Sequence, residues 1–169
     1  MLAIGYNELP DDAGRIRLEQ LMSVVGCDVA VLRAPHGWRI DDVRDVLVPV
    51  GGFGVHDTLR ARLLGSLIRG TQRRVRFVTV APTTANDAEL KAERRRLERL
   101  AREEAGGQAS AEVLVADDVI SAIRDAAAES QLLVLGLQRL GRRDRVFGAM
   151  AVALAGEGEH ATVMIGRGR

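Results

Sequence analysis

Short apolar runs alternate with longer amphipathic stretches along most of the chain. Five runs rich in Val, Ile and Leu predict strands, at residues 45–50, 75–81, 112–116, 132–135 and 162–165. After the first run, apolar residues recur at helical spacing, at Leu59, Leu63, Leu64, Leu67 and Ile68. Further helices are predicted between the later runs, at 87–105, 119–130 and 146–155. Strands separated by helices indicate an α/β fold with a parallel sheet and right-handed crossovers.

The N-terminal part of the chain has the pattern of the end of such a unit. Residues 2–9 match residues 133–140 in pattern at an offset of 131, with three of eight positions identical. In both places a helical stretch and a short apolar strand follow, at 29–32 and at 162–165. We therefore interpret 45–169 as a complete five-stranded unit and 1–44 as the strand–helix–strand end of a truncated first copy. An independent N-terminal extension is the alternative.

Charge and composition exclude several function classes. The 169 residues carry a net charge of +1, so no overall field attracts nucleic acid or an anionic membrane. Segment 87–105 contains three consecutive arginines, but its six basic residues are balanced by six acidic ones. The longest fully apolar run, 149–155, is far shorter than the ~20 residues of a membrane span. We expect no nucleic-acid binding, no membrane insertion and a cytoplasmic location.

Apolar runs at 46–50, 75–81 and 132–136 are followed by an arginine-rich stretch at 139–145, by 147–149 and by a closing run at 162–165. Together these segments resemble the universal stress protein family. The resemblance covers 45–169 and, as a partial copy, 1–44. It implies a Rossmann-like five-stranded parallel sheet ordered 3-2-1-4-5, with helices on both faces. Divergent copies of this family form the cytosolic C-terminal region of some amino-acid permeases and cation–chloride cotransporters.

The family's sheet order predicts a ligand crevice where the order reverses, between the first and fourth strands of the unit. Glycines there let backbone N–H groups approach a phosphate closely. The candidate binding residues are Val50, Gly51, Gly52, Gly54, Gly136, Gly141 and Gly148. The arginines of 139–145 add a local charge of +3, which is consistent either with an anion site or with a solvated loop.

The phosphate-binding motif of nucleotide-binding members is degenerate in this sequence. Arg139 stands where the motif has its second glycine, and Ala149 stands where it has a hydroxyl residue. Gly51 occupies the position at which binding members usually have an acidic residue. We expect a non-catalytic regulatory or oligomerisation domain, the cytosolic part of a bacterial amino-acid or cation–chloride transporter, without a cofactor. The alternative is a soluble ATP- or AMP-binding universal stress protein.

The remaining chemistry-bearing residues predict no catalytic or metal site. No histidine has a nucleophile or a second ligand at a suitable spacing, and the single cysteine, Cys27, excludes an internal disulfide. We expect Cys27 to be buried, His160 to be exposed, and Trp38 to pack the linker onto the sheet. We also expect strands 29–32 and 162–165 to approach each other, within one chain or between two. These edge strands are also where we expect copies of the chain to associate as a homo-oligomer.

Overall fold

The computed structural model describes residues 1–5, 16, 20, 24–51, 57–136, 149–156 and 160–166. One sheet carries all the strands of these residues, in the order β1-β2-β7-β6-β3-β4-β5. The strands are β1 (Leu2–Gly5), β2 (Val29–Arg33), β3 (Asp45–Pro49), β4 (Arg74–Ala81), β5 (Ala109–Val115), β6 (Leu132–Gly136) and β7 (Ala161–Gly166). The helices are α1 (Asp57–Ile68), α2 (Asp87–Ala105), α3 (Val119–Ala127) and α4 (Ala149–Gly156), with 3-10 turns at Ile40–Asp42 and Gly106–Gln108.

The α/β class and the parallel arrangement of the five strands predicted within 45–169 are confirmed. Strands β7-β6-β3-β4-β5 are all parallel, and read from β5 they follow the predicted order 3-2-1-4-5. The sheet as a whole is larger than five strands, because β1 and β2 extend it beyond β7. It is also not all parallel, since β2 runs antiparallel to β7. The third strand of the unit starts at Ala109, three residues before the predicted Glu112.

The junction between β2 and β7 has an approximate twofold symmetry in its register. Antiparallel pairs run from Val29↔Gly166 to Arg33↔Thr162, with Val31↔Met164 at the centre. The parallel pair Leu2↔Val29, between β1 and β2, has its counterpart in the parallel pair Leu133↔Thr162, between β6 and β7. The offset of 131 between Leu2 and Leu133 is the one found in the sequence. The expected approach of strands 29–32 and 162–165 is therefore confirmed, and it occurs within one chain.

Both faces of the central strands β3, β6 and β7 are buried, which is typical of near-continuous apolar strands. One core cluster lies under α1 and α2 and includes Leu59, Leu64, Phe77 and Leu97. The other lies under α3 and α4 and includes Ile123 and Leu154 from these helices, together with Leu47, Leu133 and Met164 from the sheet. Each buried side chain of this size contributes about 1.5–3 kcal/mol of hydrophobic stabilisation.

Local chemistry sets the ends of the helices. The side chain of Asn86 accepts hydrogen bonds from the N–H groups of Ala88 and Glu89, and Glu89 bonds back to the N–H of Asn86, which forms a capping box at the start of α2. Gly70 follows α1 with φ of +69°, a left-handed conformation that glycine adopts without strain. An aspartate begins α3, since the side chain of Asp118 accepts from the N–H of Ser121.

Two expectations about single residues were wrong, and one was confirmed. Cys27 is exposed because it lies in a bend before β2 and not within the strand. His160 is only 7% exposed, because it directly precedes β7, whose residues are all buried. Trp38 does pack against the core under α1 and α2, and its Nε1 donates to the carbonyl of Gln131 at 3.3 Å. The linker is thereby tied to the amino end of β6.

Candidate functional site

The carboxyl ends of β3 and β6 meet at one edge of the sheet and leave it in different directions. The helix after β3, α1, covers one face of the sheet, whereas the helix after β6, α4, covers the other. The two strands are neighbours, so the strand order reverses between them. In open α/β sheets, ligands bind in the crevice outside such a switch point. We refer to the region around Val50, Gly51 and Gly136 as the crevice.

Three of the predicted binding residues are brought together there. Val50 is 7% exposed, packs with the core under α1, and donates its N–H to the carbonyl of Val78 at 2.7 Å. Gly51 follows it and is exposed, and a Cβ atom added at Gly51 would meet no atom within 4 Å. Gly136 ends β6, is exposed, and pairs with Ile165 of β7. The ends of β3 and β6 thus lead to two exposed glycines at the edge of the sheet.

The other four predicted binding residues, Gly52, Gly54, Gly141 and Gly148, lie outside the described residues. The same holds for Arg139 and for the other arginines of 139–145. Their contribution to the crevice stays a prediction from the sequence.

The ladder between β3 and β6 is short at the crevice. Its pairs are Val46↔Leu132 and Leu47↔Leu133, whereas β3 pairs with β4 over five residues, through Pro49↔Val78. Beyond Leu133, β6 stays paired with β7 as far as Gly136. The seam between β3 and β6 therefore ends before either strand does, which favours an opening at this point.

A second polar group lies farther along the same edge, at the ends of β4 and β5. The hydroxyl of Thr83 donates to the carboxylate of Asp117 at 2.8 Å, and the backbone N–H of Thr83 donates at 3.1 Å. These hydrogen bonds hold the pKa of Asp117 below its ordinary value. The carboxylate therefore joins two loops beside the crevice. In the sequence, Asp117 lies just before helix 119–130, where an acidic residue is common, and nothing local indicates its partner.

The histidines of the described residues lie away from the crevice. His160 precedes β7, at the opposite edge of the sheet, and His36 lies in the linker after β2. Within the described ranges, no group of three or more His, Cys, Asp and Glu side chains is arranged to hold a metal ion. In the same part of the chain, no helix is long and apolar enough to span a membrane.

A cleft of about 370 Å³ at the amino edge of the sheet was not predicted from the sequence. It is lined by Asp45, Val46, Arg74, Arg76, Ser110, Glu129 and Ser130. Arg74 and Arg76 occupy alternate positions of β4 and therefore lie on the same face of the sheet. This alternation is the sequence pattern from which the cleft could have been predicted. Both arginines already have acidic partners, with Arg74 at 2.7 Å from Asp45 and Arg76 at 3.2 Å from Glu112. The crevice is therefore the stronger candidate for an anionic ligand.

Comparisons with protein-family models and with curated proteins find no match to this chain. Solved structures do match. A universal stress protein from Archaeoglobus fulgidus in complex with dAMP is 17% identical, with a TM-score of 0.59, over 73% of this chain and 98% of that one. A universal stress protein in complex with cAMP is 18% identical, with a TM-score of 0.55, over 72% of this chain and 95% of that one.

A longer universal stress protein, from Archaeoglobus fulgidus DSM 4304, matches nearly the whole chain. It is 14% identical with a TM-score of 0.64, over 98% of this chain but only 60% of that one. An alignment over 98% of this chain includes strands β1 and β2. The two shorter structures cover only 73% and 72% of this chain. At these identities the likeness shows the fold, which is that of universal stress proteins.

Proposed function

We propose that this chain is a universal-stress-protein-like domain that binds an adenosine monophosphate at the crevice between β3 and β6. The observation that carries the proposal is that the neighbouring strands β3 and β6, which lead to Gly51 and Gly136, end where the strand order of the sheet reverses. Neighbours with the same fold include complexes with dAMP and cAMP, which supports a ligand of this class. In this proposal the chain binds its ligand without transforming it, and its role is regulatory.

The chemistry of the sequence favours a monophosphate over a triphosphate. Ala149 lacks the motif hydroxyl, so one donor to a phosphate chain is lost, and Arg139 places a side chain where the motif glycine allows close approach of the backbone. A lost hydrogen bond to a charged acceptor costs about 1.5–3 kcal/mol, and about 1.4 kcal/mol corresponds to a tenfold change in affinity. A ligand with fewer phosphates depends less on these contacts. We therefore expect weak binding, with AMP preferred over ATP.

A second candidate function is supported by the same substitutions. If the remaining donors are too few, the domain binds no nucleotide and acts through contacts with a partner. The sequence resemblance then favours the cytosolic region of a bacterial amino-acid or cation–chloride transporter, with copies of the chain associating as a homo-oligomer. This candidate predicts no affinity for any adenine nucleotide, which separates it from the first.

The two candidates are tested by titrating the chain with AMP, cAMP and ATP up to ~10 mM, followed by calorimetry and by NMR chemical shifts. The informative variant is Gly51→Val, because a Cβ at this position meets no atom of the described residues within 4 Å and the fold should tolerate it. Gly107→Val is the matched control, since its Cβ also meets no described atom within 4 Å and it lies before β5, at the opposite edge of the sheet from the crevice.

Saturable AMP binding that Gly51→Val weakens at least tenfold, and that Gly107→Val leaves unchanged, would support nucleotide binding. An absence of binding to all three nucleotides would favour the partner-contact candidate. Phosphorus NMR of the same samples over a day tests the non-catalytic role, because phosphate release from ATP would contradict it.

A further inference from the structure

Pro49 lies at the point where the seam between β3 and β6 ends. On its β4 side, pairing continues past this residue, through Pro49↔Val78 and the hydrogen bond from Val50 N–H to Val78. On its β6 side, the last pair is Leu47↔Leu133. The interruption therefore belongs to one side of β3 and is not the end of the strand.

The direction of the backbone groups along β3 explains this asymmetry. The carbonyl of Arg44 accepts from the N–H of Arg74 at 2.8 Å, and the N–H of Val50 donates to β4, so even-numbered residues direct their backbone groups to β4. The carbonyl of Asp45 accepts from the N–H of Gln131 at 3.1 Å, so odd-numbered residues face β6. Position 49 is odd, and it faces β6.

We propose that Pro49 is a positioning residue that holds the crevice open by ending the β3–β6 ladder on this side alone. In a regular parallel ladder, an amide at position 49 would donate to the carbonyl of Val134 and extend the pairing to Val48↔Val134. Proline has no N–H, so this bond cannot form, whereas the β4 side does not need it.

The consequence for a ligand rests on the function proposed above. With pairing to β6 ended at Leu47, the contacts that hold Val50 and Gly51 among the described residues are those with β4 and with the core under α1. It can therefore stand away from Gly136, which β7 holds in place. A restored bond from position 49 to Val134 would draw the two glycines together and narrow the crevice.

The test is Pro49→Ala, which restores one backbone N–H and removes little volume. Pro82→Ala is the matched control, because Pro82 is exposed and follows β4 at the same edge of the sheet. The first measurement is amide hydrogen exchange by NMR in the absence of any ligand. We expect the new amide of residue 49 to exchange as slowly as the amide of Leu47, within a factor of ten.

The second measurement is AMP affinity. We expect Pro49→Ala to bind AMP at least tenfold more weakly than the wild type, and Pro82→Ala to match the wild type within twofold. An amide at position 49 that exchanges as fast as in a short peptide would overturn the inference. So would a protected amide with unchanged AMP affinity. If the wild type binds no AMP, the proposed function fails, and the exchange rate of residue 49 still decides the structural part.

Discussion

The buried ion pair between Arg60 and Glu104 joins the two helices that cover one face of the sheet. Arg60 lies on α1, which follows the crevice, and Glu104 lies in the last turn of α2. Two hydrogen bonds connect the groups, Nε to Oε2 at 2.6 Å and Nη2 to Oε1 at 2.5 Å. Their side chains are 6% and 4% exposed. The pair is therefore bidentate and excluded from water.

Glu104→Gln removes one charge and almost no volume, so no cavity contributes to its effect. The guanidinium of Arg60 loses the charge of Glu104, its buried bidentate partner, which costs about 3–5 kcal/mol of unfolding free energy. A domain of this size is stable by only about 5–15 kcal/mol, so the loss is a large share of the total. Urea unfolding at pH 7, monitored by circular dichroism, measures it directly.

Two further variants check the reasoning. The double variant Arg60→Met with Glu104→Met removes both charges, and we expect it to be within about 2 kcal/mol of the wild type or more stable. Asp41→Asn breaks the exposed pair of Asp41 with Arg39, whose side chains are 75% and 72% exposed, and should cost less than about 1 kcal/mol. A Glu104→Gln variant within about 1 kcal/mol of the wild type, or a double variant as unstable as the single one, would refute the argument.

Two other predictions concern single buried side chains. Burial and the nearby charge of Arg33 lower the pKa of His160, so the folded chain favours the neutral ring, and stability should fall as the pH drops below the ordinary value of 6.5. Urea midpoints between pH 5 and 8 should show a dependence that His160→Leu reduces. Arg73→Met should cost about 2–4 kcal/mol and speed hydrogen exchange near the linker, because the guanidinium donates to the carbonyls of Ile40, Val43 and Leu67.

Much of the sheet follows from local sequence pattern. Strands that are buried on both faces need near-continuous apolar residues, and the runs of 45–50 and 132–135 are of that kind. The repeat between Leu2 and Leu133 is also visible in the sequence, because equivalent strands in a repeated unit have similar burial. The position of Val50 and Gly51 beside Gly136 then follows from the order of the strands.

Features that depend on long-range contacts could not be found in this way. Arg60 and Glu104 are 44 residues apart, and each is typical of a solvated helix face in its local context. The exposure of His160 was mispredicted for the same reason, since its burial comes from packing at the start of β7. Its hydrogen bond with the backbone of Leu154 is also a contact that the local sequence does not indicate. The side of β3 on which Pro49 ends the pairing can be identified only from the register of β3 with both β4 and β6.

The pairing of β2 with β7 changes what an oligomer through these strands would require. Strand β2 has β1 on one side and β7 on the other, and β7 has β2 and β6. Neither strand has a free hydrogen-bonding edge, so copies of the chain could associate through 29–32 and 162–165 only by exchanging these strands. The outer strands of the described sheet are β1 and β5. Of these, β5 carries the charged Glu112, which discourages edge pairing, whereas the four residues of β1 are uncharged.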